Sequence, residues 1–227
     1  MDSMAEVQKR LTLAAQHGKI VLNPVLNAGN RAQVILGSTI AFILLYGLPN
    51  RYHLVEPRLL PLLWADRMTP FLVESIWIYL SAMFMMFAAF FLLNEIKSHN
   101  QLVMSFGMLA LMSVTVFWIL PTTYPRADFP IPLIPTSWAE RAFLAMREAD
   151  SPANCFPSLH VGVAYLSAFS LLWEKRKRAF FGFFIWASAV WISTLTTKQH
   201  YWIDGFFGFW LAGLVAWFFD RKVILRL

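Results

Sequence analysis

The chain has 227 residues, 58% hydrophobic and 16% aromatic, with only 14% charged and a formal net charge of +6. Soluble domains carry roughly a quarter charged residues. Six apolar runs in so short a chain leave too little polar surface for helices buried in a water-soluble protein, so that class is excluded.

In chain order, residues 1–33 are polar and basic, with Lys9, Arg10, Lys19 and Arg31 ahead of the first apolar run. This is not the pattern of a cleaved signal peptide, and the first run reads as an uncleaved span. Met4, Val7, Leu11 and Ala15 recur at helical spacing, which fits a short helix on the membrane surface as well as it fits a solvated tail. Apolar runs then follow at 34–48, 75–93, 102–120, 158–173, 179–197 and 201–219. Several reach the roughly 18–20 residues that cross a bilayer as a helix; the first and fourth are shorter. The expected fold is an all-α polytopic membrane protein. It comprises a cytoplasmic or interfacial segment 1–33, a six-helix membrane domain over 34–220 and a tail 221–227.

Six spans put both termini on one side. The segments on that side, 1–33, 94–101, 174–178 and 220–227, hold twelve of the nineteen Lys and Arg residues, including Lys175-Arg176-Lys177-Arg178. The positive-inside rule then makes that side, and both termini, cytoplasmic. It also accounts for the positive charge without a nucleic-acid partner. The loops 49–74, 121–157 and 198–200 face outward.

The loop 121–157 opens PTTYPRADFPIPLIP, with five prolines in fifteen residues, and should be extended and rigid. Ser137-Trp138-Ala139-Glu140 has the form of a capping box, which predicts a helix from about Trp138 to Ala149 stopped by Asp150-Ser151-Pro152. Trp138, Ala142, Ala145 and Met146 would form its apolar face along the outer membrane boundary. The lone cysteine, Cys155, excludes an intrachain disulfide. It lies near His160, so a reactive thiol and a packed loop cysteine are both readings of it.

Pro157 opens the fourth span, as proline does in a first helical turn. The backbone N–H groups of Ser158, Leu159 and His160 would then point outward, where a helix start suits phosphate. A second polar cluster, Ser193 to Asp204, lies at the outward junction of spans five and six, so His160, Lys198, His200 and Asp204 meet at one membrane face. His200 and Asp204 are four residues apart, one helical turn on one face. The carboxylate can accept one ring N–H and leave the other nitrogen free to attack. A cap on the sixth span is the plainer reading of Asp204. Two histidines and a bound phosphoryl group make a reaction: His200 attacks phosphorus, and His160 serves as acid and then as base. Lys198, Ser158 with the backbone at 158–160, and Arg126 are candidate phosphate ligands, and Ser193, Thr194 and Tyr201 of the second cluster are further candidates. A lipid headgroup contact is as good a reading of Arg126.

Pro157-Ser158-Leu159-His160 resembles the Pro-Ser-Gly-His motif of the type-2 phosphatidic acid phosphatase superfamily. Ser193 through Asp204 resembles its third motif, with seven positions from Ser193 to His200 and four from His200 to Asp204. The resemblance covers about 75–220 and implies a metal-independent phosphohistidine mechanism, without a cofactor, on membrane lipid substrates. Two features depart from the pattern. Thr194 stands where the third motif has arginine. The first motif's lysine is missing, although Tyr124-Pro125-Arg126 stands roughly where its Arg-Pro pair would fall. The leucine before His160, the Ser193-Thr194 start and the His200-Tyr201 pair resemble the inositol phosphorylceramide synthase branch. That branch implies transfer of a phosphoalcohol headgroup from a phospholipid to a lipid hydroxyl, as in sphingolipid synthesis. A phosphodiester carries less charge than a phosphomonoester, which suits the loss of two cations.

Hydrolysis of phosphatidic acid or a polyprenyl phosphate stays open beside transfer. A metal site on His160, His200 and Asp204 and a transporter with a polar relay are more distant readings. The aromatic-rich runs around Phe180–Trp186 and Phe206–Trp210 read as lipid-facing packing, and Gly205, Gly208 and Ala212 as a close helix contact beside the site. The sequence carries no signal for oligomeric state.

Overall fold

The computed structural model describes residues 18–27, 29–132 and 134–225; the surface helix expected over 4–15 lies outside them. Strand β1 (Ile20–Leu22) precedes α1 (Arg31–Arg51), β2 (Arg58–Leu59), the short α2 (Trp64–Met68), α3 (Ile76–Leu92) and α4 (Ile96–Ile119). Then come β3 (Thr122–Thr123), α5 (Trp138–Ala149), α6 (Leu159–Ser170), α7 (Lys177–Thr196), α8 (Trp202–Arg221) and β4 (Val223–Leu225). Five helices, α1, α3, α4, α7 and α8, are long and apolar enough to cross a membrane.

The fourth expected span is different. Helix α6 has twelve residues, a rise of about 18 Å against a hydrocarbon core of about 30 Å. It packs against α3, α4, α7 and α8, and Leu159, Val161, Ala164, Leu166 and Ala168 are buried. A helix enclosed by its neighbours need not match the lipid thickness. Small residues on both sides let those neighbours close around it, Gly162 on α6 and Gly208 on α8 among them. A methyl group on Gly208 would run into the carbonyl oxygen of Ser158 at the start of α6.

The five long helices and α6 run alternately up and down. At one end β1 pairs in parallel with β4, Ile20 opposite Val223, and the Glu174 carboxylate accepts from the backbone N–H groups of Asn94 and Glu95 at 3.0 and 2.9 Å. The described chain ends therefore lie together. At the other end the three polar loops interlock. Strand β2 pairs with β3, Cys155 N–H donates to the Thr122 carbonyl, and Leu72 N–H donates to the Thr196 carbonyl at 2.9 Å.

Helix α5 begins and ends where its signals predicted. Ser137 Oγ accepts from Glu140 N–H at 3.1 Å, and the Glu140 carboxylate accepts from Ser137 N–H at 3.0 Å. Of its expected apolar face, Met146 is buried and Ala142 packs beside it, joined by Ala139 and Phe143 on Ile76 and Tyr79, whereas Trp138 is 75% exposed. The prediction chose residues for a lipid surface, but the helix docks on α3, and Phe143 is the side chain large enough to fill that contact.

Candidate active site

His200 sits in the tight turn between α7 and α8. The carbonyl of Thr194, freed at the end of α7, accepts from both Gln199 N–H and His200 N–H, which fixes the turn. The His200 ring is buried, with Nδ1 3.0 Å from the Cys155 carbonyl and 3.4 Å from Asp204 Oδ2. Both neighbours are acceptors. In the neutral ring Nδ1 therefore carries the proton and Nε2 keeps its lone pair. Asp204 is fully buried in the first turn of α8, and its Oδ2 also accepts from Tyr201 N–H at 3.0 Å. The cap and the histidine partner proposed for Asp204 are thus one carboxylate performing both roles.

His200 lines a narrow polar cavity with Tyr46, Tyr79, Arg126, Asp150 and Gln199. Across Tyr79 lies His160. The two rings stack with centroids 4.1 Å apart, and His160 Nε2 is buried without a hydrogen-bond partner among the described residues. Arg126 reaches the cavity from a single 3₁₀ turn, Arg126–Asp128. Its Nη1 donates to the Asp150 carbonyl, its Nη2 lies 3.5 Å from Asp150 Oδ2, and its buried Nε has no partner among the described residues.

The remaining expected phosphate ligands are occupied elsewhere. The Lys198 ammonium donates to the carbonyls of Asp66 at 3.0 Å and Thr69 at 2.6 Å and lies 5.2 Å from the Phe129 ring centre. It pins the α1–α3 loop to the α7–α8 turn rather than reaching the cavity. Its backbone is left-handed, φ 53°, which points the long side chain back under that loop. Ser158 N–H donates to the Asp204 carbonyl at 3.0 Å, and Ser158 Oγ caps α6 by accepting from Val161 N–H. The outward N–H assigned to Ser158 is therefore taken. The hydroxyls of Ser193 and Thr194 donate to carbonyls of their own helix, Val190 and Trp191. Tyr201 is buried, and its hydroxyl donates to the Thr123 carbonyl at 2.9 Å.

Burial pushes the Cys155 thiol up from its ordinary pKa, and Sγ–H has the Pro152 carbonyl at 3.1 Å as acceptor. These features describe a packed, protonated cysteine. Cys155, His200 and Asp204 bring one potential ligand atom each within 4.8 Å of one another. The thiol proton and the His200 Nδ1 proton both point at carbonyl oxygens, so this donor set is arranged as a hydrogen-bonded unit. It also replaces His160 in the metal set proposed from the sequence.

Sequence reasoning missed four residues of this end of the molecule. Asp150 reads in the sequence as a helix stop, although a carboxylate so close to Cys155 and His160 is a signal. Tyr46 reads only as part of the first apolar run and Asn50 only as the start of the loop 49–74; an amide at the end of a span is the signal. Asp66 is buried, and its Oδ1 accepts from Trp202 N–H at 2.7 Å; nothing local in the sequence marks it.

Fold and site together define an integral membrane protein with a histidine–aspartate pair and a second histidine gathered at one end of a helical bundle. The family model of the PAP2 superfamily matches residues 44–218. The chain belongs to that superfamily, a phosphatase and phosphotransferase type of family. No curated protein matches it significantly.

Proposed function

We propose that this protein transfers a phosphoalcohol headgroup between membrane lipids through a phosphohistidine on His200. The observation that carries this reading is the His200 ring itself. Nδ1 is committed to the Cys155 carbonyl and Asp204, so the free nitrogen of a neutral ring is the one left for phosphorus. In the first half reaction the Nε2 lone pair forms the N–P bond while the P–O bond to the leaving alcohol breaks, and protonated His160 gives its proton to that oxygen. In the second, His160 takes the proton of an incoming hydroxyl, whose oxygen forms a new P–O bond as the N–P bond breaks. Arg126 meets the charge on the phosphoryl oxygens, with its unpartnered Nε supporting that role. The active end faces away from the cytoplasm, a reading supported by the Lys/Arg distribution.

The alternative is a hydrolytic lipid phosphatase, in which water takes the second half reaction. One cationic side chain at the cavity favours the singly charged phosphodiester donor. The deciding assay supplies purified protein with phosphatidylinositol, phosphatidylglycerol or phosphatidic acid, with and without ceramide or diacylglycerol. A new lipid phosphodiester supports transfer; inorganic phosphate or a free headgroup phosphate as sole product supports hydrolysis.

A further inference from the structure

We infer that Asp150 is a positioning residue: it holds the Arg126 guanidinium at the His200 cavity, and the first span, α1, holds Asp150 in turn. The inference rests on the phosphoryl-transfer reading above.

Arg126 needs a post. It stands in a proline-rich stretch on one 3₁₀ turn, and a long side chain there has no helix neighbours to fix its rotamer. Asp150 holds it twice, through the backbone carbonyl to Nη1 and through the carboxylate to Nη2. This grip leaves Nε without a partner among the described residues, at a residue that lines the cavity. A guanidinium presents its donors in one plane, so fixing one edge fixes the direction of the rest.

Asp150 itself is fixed from α1. Its Oδ1 accepts from the Tyr46 hydroxyl at 2.8 Å and from Asn50 Nδ2 at 3.0 Å. Asn50 also exchanges two hydrogen bonds with the backbone of Ser151, donating to its carbonyl and accepting from its N–H, and Asn154 Nδ2 donates to the Tyr46 carbonyl. Tyr46 and Asn50 are four residues apart and so share a helix face. Amide and phenol groups in an apolar span are costly unless they have partners, and here all of these partners lie on the segment that carries Asp150. Helix α1 otherwise packs mainly on α4, so this polar clasp is what ties it to the catalytic end.

The test is a double-mutant cycle read as orthovanadate affinity, by calorimetry on the detergent-solubilised full chain. Arg126→Ala should weaken binding about tenfold or more, the loss of a charge-assisted hydrogen bond. Asp150→Ala should lose nearly as much, and Arg126→Ala/Asp150→Ala no more than Arg126→Ala alone. Should Asp150→Ala fail to fold, Asp150→Asn and Tyr46→Phe replace it, with smaller losses that again vanish in the Arg126→Ala background. Losses that multiply independently, or an Asp150 variant with wild-type affinity, overturn the positioning role while phosphoryl transfer stands. Wild-type protein that binds no vanadate and turns over no phospholipid overturns both.

Discussion

Tyr79 and His160 lie face to face, with ring planes 16° from parallel and centroids 4.1 Å apart, and Tyr79 also lines the cavity that His200 enters. One tyrosine thus stacks on His160 and helps line the cavity of His200. Tyr79→Leu removes the stacking surface that aims His160 and should lower turnover about tenfold, part of the roughly 10²–10⁴-fold contribution of a general acid. Substrates with poor leaving groups should suffer most. Tyr79→Phe keeps the stack and should retain most activity. Equal rates for good and poor leaving groups in Tyr79→Leu, relative to wild type, would refute the link to His160.

His200→Ala removes the nucleophile of the proposed mechanism. No phosphoenzyme should form with a labelled donor, and turnover should fall at least about 10³-fold. Label still trapped covalently in that variant would assign the nucleophile elsewhere. Asp204→Asn keeps the shape but not the charge that stabilises the developing imidazolium, and should reduce turnover with a native-like melting temperature.

Lys198 behaves as a clamp. Lys198→Met breaks its bonds to the Asp66 and Thr69 carbonyls and should destabilise the protein by about 2–3 kcal/mol, the range for hydrogen bonds from a charged donor. Thermal unfolding should show the loss, while vanadate affinity, corrected for folded fraction, should change less than in Arg126→Ala. The reverse ranking would return Lys198 to the phosphate site.

Gly208 has no room for a side chain. Gly208→Val forces α8 away from the Ser158 carbonyl and should cost about 1–3 kcal/mol or more, as overpacking does. Because Ser158 N–H donates to the Asp204 carbonyl across the same contact, activity should fall more steeply than stability. Melting curves and turnover on one preparation check this.

Asp150 supplies a pH signature. Burial raises its carboxyl above the ordinary carboxylate range, with the Tyr46 hydroxyl and Arg126 pulling it back. The ionised form pairs with Arg126, so lowering the pH through that raised pKa neutralises the pair. The ratio of wild-type to Asp150→Asn affinity for vanadate should therefore exceed one near neutrality and fall toward one on acidification. A ratio that stays constant would show that the charge on Asp150 does not matter to the site.

What the sequence by itself determined is whatever depends on spacing along one element. Apolar runs dictated the long helices, because a span must satisfy its own backbone in lipid. The Ser137–Glu140 box marked the start of α5, and the four-residue interval from His200 to Asp204 kept the two side chains within reach, although His200 lies in the turn before α8 rather than on it. Motif spacing was enough to point to the superfamily. What only the tertiary structure decided is direction and partnership across elements. Lys198 turned toward the α1–α3 loop, where the carbonyls of Asp66 and Thr69 accept from its ammonium. Helix α6 could be short because its neighbours enclose it. Asp150 met Arg126, 24 residues away in sequence, and Tyr46 and Asn50, 104 and 100 away. No local period encodes such contacts; they arise only when packing brings buried polar groups together and each must find a partner.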